Sequence, residues 1–570
     1  MKLPGLLYSD GIRKHKQVKF KGLDHTIMAE DGALYDMRNL SSDDYPLLSV
    51  RPKRHLVRKV GKPNGLFYWK GLMWVDGTDL YFEGKAVGHV TDSRKTFGAL
   101  GPYIVILPDS LCFNVESGEI DKFHKKWTTE SMSVMIRFTS ANALFKDDDA
   151  YVNNNTEAAF NVMANQLVTY SAGVNLAPDF SAIFNVGDKV RFTFSDGRTR
   201  DASIKGFSRG IAPVNGKDAY GNDLYYCYSK IIFEEGTFAG CRSETPIVVE
   251  RRAPELRYLC EDGNRLWGCD GDTIYASKLG DPFNWDTYEM LETDSWTLTP
   301  ASSGEFTGCI NYEGYPTFFK EDRLYRVYGQ LPSTFSVVDS PCLGVAPGCG
   351  DTLAMAWGSV FYLGTNGPMV YTGSLPRPMG QELGSTRFVN GCGGSDGLKY
   401  YASLADPSGA HKLYVYDVQK GLWHIEDDLE VVHFCRVDGD LYCLDAEGNI
   451  WILGMAKAVP KTATEEDPIL WMAEFSDFTH DDPNQKGVVK LQLRVGLDPG
   501  SEMTVSIQFD SDGTWRNVRT LTGTGMKRSW YLPIIPRRCD HYRIRLEGKG
   551  RAIIYSLVRE SYSGSERSAK

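Results

Sequence analysis

The sequence predicts an all-β protein: a β-propeller of six or seven blades, with a small β-rich domain inserted between blades and a β-sandwich in the C-terminal region. Three observations lead there. The first is composition: of 570 residues, 57 are Gly, 30 Tyr and 12 Trp, a mix of tight turns and aromatic strands that favours sheet. The second is a hairpin. Residues 265–288 read RLWGCDGDTIYASKLGDPFNWDTY: an apolar strand, a turn at Asp270-Gly271, and a returning strand centred on Tyr275. Asp-Gly between apolar runs marks a hairpin because Gly accepts the positive φ of a tight turn. The third is recurrence. Residues 72–84 (LMWVDGTDLYFEG), 360–373 (VFYLGTNGPMVYTG) and 441–454 (LYCLDAEGNIWILG) repeat the pattern. Related hairpins far apart in one chain indicate a repeat architecture, and blades of about four antiparallel strands are the matching unit.

The bulk properties set limits on function. A chain of this length exceeds one ordinary core, so two to four domains are expected. The formal net charge of -10 argues against a dedicated nucleic-acid clamp, which carries a basic excess. The N-terminus lacks the apolar core of a signal peptide, and no stretch approaches the roughly 20 apolar residues of a membrane span. The 12 Cys form no CxxC pair. Several sit in apolar strands, such as Cys269 and Cys443, and read as buried thiols of a reducing compartment.

In chain order, residues 1–60 read as an extended arm. Its basic run from Arg51 to Lys59 is either a solvated face or a phosphate contact. The propeller pattern starts at 61, with units at 66–90 and 96–123. Residues 128–250 break the period. They hold a polar stretch at 143–155, a candidate short helix at 157–167 that Asn161 and Asn165 weaken, a hairpin at 186–207 tipped by Asp196-Gly197, and a strong strand run at 224–235. This segment reads as the inserted domain. The pattern resumes over 251–453, with units at 255–289, 305–339, 351–383, 388–426 and 430–453. Residues 454–467 read as a polar linker. Five alternating strands over 468–560 predict the sandwich. Residues 561–570, Ser-rich and charged, read as a disordered tail.

No catalytic signature is present: no GxxxxGK[ST] loop, no GxSxG elbow, no HExxH. No catalytic, cofactor-binding or metal-binding residue is therefore assigned, and no cofactor is expected. His480-Asp481-Asp482 lacks a second ligand cluster. The run Asp510-Ser511-Asp512-Gly513 lacks the later acidic ligand of a Ca²⁺ loop and reads as a hairpin turn. The segment from Ser511 to Trp515 departs from a sialidase-type Asp-box because Asp and Gly are adjacent. Trp285, Trp296, Trp357 and Trp423 are candidates for stacking on sugars, although blade aromatics more often fill core. A cellular interaction propeller of the WD type is a rival class that needs a regular Gly-His…Trp-Asp repeat, and Trp285-Asp286 stands alone.

Three segments carry a resemblance. CDGDTIYASKLGDPFNW (269–285) resembles a segment of the phage tail hub, nozzle or packaged-DNA stabilisation proteins of short-tailed phages and prophages, and GALYDMRNLSSDDYPLLSVRPKR (32–54) and LPIIPRRCDHYRIRLEG (532–548) resemble other segments of structural proteins from phages and prophages of Gram-positive bacteria. The resemblance implies a non-enzymatic virion protein, made in the host cytoplasm, that forms a homo-oligomeric ring, usually of six copies. Such a ring sits below the portal and adaptor, meets other tail proteins, and continues the DNA channel without sequence-specific binding or membrane insertion. It helps to retain packaged DNA until ejection. The rival expectation is a carbohydrate-binding or host-recognition propeller.

Overall fold

The computed structural model describes residues 12–26, 29–129, 134–139, 159–164, 168–169, 177–233, 246–479 and 485–563. Its regular structure is almost entirely antiparallel sheet, with three single-turn 3₁₀ helices among the described residues. The polar stretch at 143–155, the His480-Asp481-Asp482 run and residues 564–570 lie outside the described residues.

Seven sheets follow one another in a propeller-like array. The first six are four-stranded meanders of consecutive strands: Pro63–Tyr68 to Lys85–His89, Thr96–Leu100 to Ile120–Lys122, Tyr258–Asp262 to Trp296–Leu298, Gly308–Tyr312 to Ser336–Pro341, Ala354–Ala356 to Arg377–Pro378, and Asn390–Ser395 to Leu422–Ile425. The hairpin that anchors the sequence reading is the centre of the third. Strands Arg265–Asp270 and Thr273–Ala276 pair in register, joined by a two-residue turn in which Gly271 has φ +53°. The side chains alternate as period-two strands require, so Ile274 and Ala276 are fully buried.

The seventh sheet is built differently. Strands Val431–Val437, Asp440–Asp445 and Asn449–Leu453 are consecutive, but the fourth position is filled by His55–Lys59 from the other end of the chain. The first strand of this sheet packs against the first strand of the first sheet. Neighbouring sheets share apolar cores, as where Phe67 stacks on Phe97 with ring centroids 5.3 Å apart.

Within residues 1–60, expected to be an extended arm, the described residues supply strands of the sandwich and, at His55–Lys59, a strand of the seventh sheet. In one sandwich sheet, Leu40–Ser41 and Leu48–Val50 lead into Ala552–Ser563, Lys486–Leu497 and Lys527–Pro533, and Arg13–Gln17 also pairs with Ala552–Ser563. The other orders Leu34–Arg38, Leu470–Phe475, Tyr542–Lys549, Glu502–Phe509 and Arg516–Thr522. The short N-terminal strands lack a strong pattern because each is only an edge or a cover, yet Leu34, Met37, Leu40 and Leu48 are buried. One continuous apolar core joins this sandwich to the fourth, fifth and sixth sheets.

The insert forms its own eight-stranded sheet around Trp127, Phe160, Phe192 and Phe233. Its first strand, Lys125–Thr128, pairs with Val248–Arg251. The unit thus runs from 125 to 251, and the expected boundary at 128 cuts its first strand. The expected helix at 157–167 is the strand Ala159–Ala164. Phe160 and Val162 pack into the core, Asn161 and Met163 are buried too, and the strand is paired on both edges, so tertiary pairing overrides the weak helical pattern. The expected linker at 454–467 contains the strand Thr464–Glu465, paired with His55 and Leu56.

Candidate functional site

Three places concentrate polar chemistry: the joint between sandwich and array, a bridge made by Arg94 between sheets of the array, and a cavity bordered by three of those sheets.

The joint is made by the basic run that the sequence left between solvated face and phosphate contact. Arg51 and Arg54 are neither. Arg51 grips Glu466 with two bonds of 2.8 Å and donates to Asn39 Oδ1 at 2.7 Å. Arg54 donates to Glu426 and Asp427, each at 2.7 Å, and its backbone N–H donates to Glu466 at 3.0 Å. Both guanidinium side chains are nearly inaccessible, at 2% and 4%. Burial disfavours the Asp427 carboxylate, but the charge and hydrogen bond of Arg54 outweigh it and hold the pKa below the ordinary value. Burial and then Arg51 act in the same opposed way on Glu466, again with a net lowering. Such a buried cluster is intact only when every charge keeps its partner. Around it, Ser42 Oγ donates to Asp417 at 2.6 Å, and Leu23 N donates to the Trp423 carbonyl at 2.7 Å. Sequence reasoning missed this joint because the paired residues lie more than 370 positions apart. The one local signal was a basic run directly beside apolar strand residues.

Within the array Arg94 bridges three sheets while its side chain stays partly exposed, at 39%. Arg94, just before the first strand of the second sheet, reaches Asp351 before the fifth at 2.8 Å and the Val432 carbonyl in the seventh at 2.6 Å. Beside it His433 meets Phe97 with ring centroids 6.2 Å apart. Burial first, and then the Arg94 charge, pushes the His433 pKa down to about 3, so the ring is neutral.

A cavity of about 530 Å³ opens where the third, fourth and fifth sheets meet, bordered by Arg257, Tyr258, Glu305, Lys320, Glu321 and Asp322. Arg257 and Glu305 pair across it at 2.8 Å.

The remaining candidates are dispersed. Trp285 and Trp423 are core residues whose indole N–H groups donate to the Pro282 and Met379 carbonyls, each at 2.8 Å. Trp296 is half-buried against Trp267 and Phe335. Of the four Trp candidates only Trp357, at 56%, is largely exposed. Asp510 and Ser511 both take φ +51° in a turn. Asp512 is held by Arg516 at 2.7 Å and Arg537 at 3.5 Å, so its carboxylate is already engaged by cations. Among the described residues no group of three or more His, Cys, Asp or Glu is arranged to hold a metal ion. No disulfide joins the described cysteines, and burial pushes thiols such as Cys392 up to about 12.

No family model and no curated protein matches the chain. Among solved structures, Hsv2 of Kluyvelomyces marxianus is 8% identical, with 48% of this chain and 87% of that chain covered and a TM-score of 0.25. The extracellular domain of the putative hybrid two-component system BT4673 from B. thetaiotaomicron is 10% identical, covering 91% and 99%, with a TM-score of 0.21. An engineered GH43 glycoside hydrolase is 9% identical, covering 53% and 95%, with a TM-score of 0.19. At these scores the likenesses carry no argument about function, and the fold rests on the strand registers described above.

Proposed function

We propose that this chain is a non-enzymatic structural subunit of a phage tail, assembling with further copies into a ring below the portal and adaptor. One observation carries the reading most: the segments that resemble phage virion proteins lie where sheets or modules are fastened together. Residues 32–54 supply sandwich strands and the Arg51–Arg54 cluster. Residues 532–548 run from one sandwich sheet into the other. Within 269–285, Asn284 accepts from Lys189 N of the insert at 3.1 Å. Chemistry that fastens modules into one body is what a load-bearing wedge requires.

The seven sheets are read as a propeller closed by strand exchange, with His55–Lys59 completing the last blade. Closure removes exposed edges, and rigid wedges joined by heterologous interfaces form cyclic rings. In this reading the channel for DNA lies between copies, while Arg94 ties the second, fifth and seventh sheets of one copy together. The insert, with its own core, is the natural candidate for contacts between neighbours.

Negative-stain images of the purified full chain, alone and with an adaptor ring, test this. Six-fold rings, or recruitment onto the adaptor, are expected. Monodisperse monomers that ignore the adaptor at high concentration contradict it.

The cavity beside Arg257, Tyr258 and Glu305 favours a second reading, a carbohydrate-binding propeller, because carboxylates, a guanidinium and a phenol in one cleft suit a polyhydroxylated ligand. Glycan-array binding abolished by Glu305→Gln supports that reading. Turnover of a glycan, lost with one carboxylate, overturns the non-enzymatic proposal.

A further inference from the structure

The two sheets of the sandwich present outer faces of opposite electrostatic character. Strand register decides which side chains share a face, because partners directly opposite one another point the same way. On the sheet that holds Lys486–Leu497, the buried row is Leu491, Leu493, Val495 and Leu497. The alternate row therefore faces out. It includes Lys490 and Arg494, opposite Pro533 and Ser529. On one flank Lys527 stands opposite Gly496. On the other, Lys14 and Lys16 stand opposite Glu560 and Val558, which themselves lie opposite Lys490 and Gln492. Five cations thus share one face of four adjacent strands with a single carboxylate from these rows, Glu560, which pairs with Lys14 at 3.1 Å and Lys490 at 3.6 Å. Two Tyr rings lie among the cations: Lys490 sits 5.0 Å over Tyr531, and Lys527 sits 3.4 Å over Tyr555.

The other sheet is an internal control. Its outer face balances charge: Arg543 and Arg545 both bond Glu474, and Lys549 stands opposite Glu502. A polar outer face is ordinary for a sandwich, but a one-sided excess of cations is not a requirement of folding. Beside Lys527, the same strand carries Arg528, and Lys527–Pro533 contains no Asp or Glu. All this stands on a chain whose net charge is -10.

We infer that this outer face, built around Lys490, Arg494 and Lys527 with Lys14 and Lys16, binds the phosphodiester backbone of nucleic acid without reading its sequence. The partner follows from the chemistry. The face has cations spread over neighbouring strands, about 4.8 Å apart, and it lacks the apolar centre of a protein-protein interface. Lys and Arg neutralise phosphates and release counterions, while Tyr rings offer planar surfaces to exposed bases or sugars. The inference does not depend on the ring reading, since a single subunit carries the whole face.

Fluorescence anisotropy of the full chain with a labelled 30-base-pair duplex, in two unrelated sequences, tests it. Equal affinity for both sequences is expected, weakening steeply with salt. The combined variant Lys490→Ala, Arg494→Ala, Lys527→Ala should lose about tenfold or more in affinity at low salt, and its slope of log affinity against log salt should fall by about 3, near one per lost phosphate contact. The control pair Arg38→Ala, Lys549→Ala should bind as the native chain does. Lys490→Arg, Arg494→Lys, Lys527→Arg keeps the charge and should restore binding, which separates loss of contact from loss of fold. The inference is overturned by no duplex binding at low salt, by equal losses in the two alanine sets, or by binding confined to heparin, anionic vesicles or an acidic protein.

Discussion

The seven-sheet array and the sandwich are both antiparallel β structure, yet they draw on the chain in opposite ways. In the array a strand pairs with the next strand along the sequence, and a sheet such as Tyr258–Asp262 to Trp296–Leu298 is complete within one stretch. In the sandwich Arg13–Gln17 lies against Ala552–Ser563, and Asp31 pairs with Arg559 from 528 residues away at 2.6 Å. The seventh sheet stands between these cases, with three consecutive strands, one from the N-terminal region and the short Thr464–Glu465 beyond it. The contrast teaches where integrity resides. A blade owes its fold to turns and alternation close at hand, whereas the body as a whole depends on a few distant joints.

The largest test of that contrast removes residues 1–50. The deletion strips four strands from the sandwich and with them the buried side chains of Leu34, Met37, Leu40 and Leu48, each worth about 1.5–3 kcal/mol when fully buried. Loss of the sandwich's cooperative transition in calorimetry, with aggregation, is expected. Removal of residues 125–251 through a short Gly/Ser linker, by contrast, takes out a unit with its own core and should leave a soluble chain that melts cooperatively.

Arg54→Ala comes next. It leaves Glu426 and Asp427 without a principal cation, and breaking a buried pair from one side costs about 3–5 kcal/mol. Urea unfolding followed by calorimetry-matched probes should show the loss, together with new protease sensitivity near Asp427 and Glu466. Replacing Arg54 with Lys should not restore the fork to both carboxylates.

Acid probes the same joint without mutation. Because Asp427 and Glu466 have lowered folded pKa values, the folded state binds fewer protons than the unfolded chain. Their contribution is present in full above the ordinary carboxylate values near 4 and is lost as pH falls through the lower folded values. Melting temperature should drop below about pH 4 in the native chain, and this acid-dependent part should shrink in Arg54→Ala.

Two glycines sharpen the comparison at the smallest scale. At Gly22 an added Cβ would lie 2.2 Å from the Trp423 carbonyl oxygen, so Gly22→Ala must part the N-terminal segment from the sixth sheet. At Gly271 an added Cβ meets nothing within 4 Å, and only the positive φ resists Gly271→Val, at about 1–3 kcal/mol. Proteolysis should detect Gly22→Ala at the joint and Gly271→Val in the third sheet alone.

This division also explains what the sequence could reveal. Seven units with Gly turns were legible because each sheet's pairing is nearly local, and Gly271, Gly77 and Gly448 take the positive φ that a turn demands. The sandwich was legible only in its long C-terminal strands. Short strands such as Leu40–Ser41 have no period to read, so the N-terminal region looked like an arm. Arg51 and Arg54 looked like surface charge because nothing near them in sequence announces Glu426, Asp427 or Glu466. The Trp residues were ambiguous for a related reason: Trp423 is defined by what covers it, and that cover comes from the N-terminal segment around Gly22 and Leu23.

Native-state hydrogen exchange over residues 34–59 tests the central claim most directly. If the distant joints make one body, amides of Leu34–Arg38 and His55–Lys59 exchange as slowly as those of Leu470–Phe475 and Asn449–Leu453, their strand partners, and Arg54→Ala accelerates both sets together. Fast exchange throughout 34–59 in the native chain, with the blades and the C-terminal strands still protected, would contradict it.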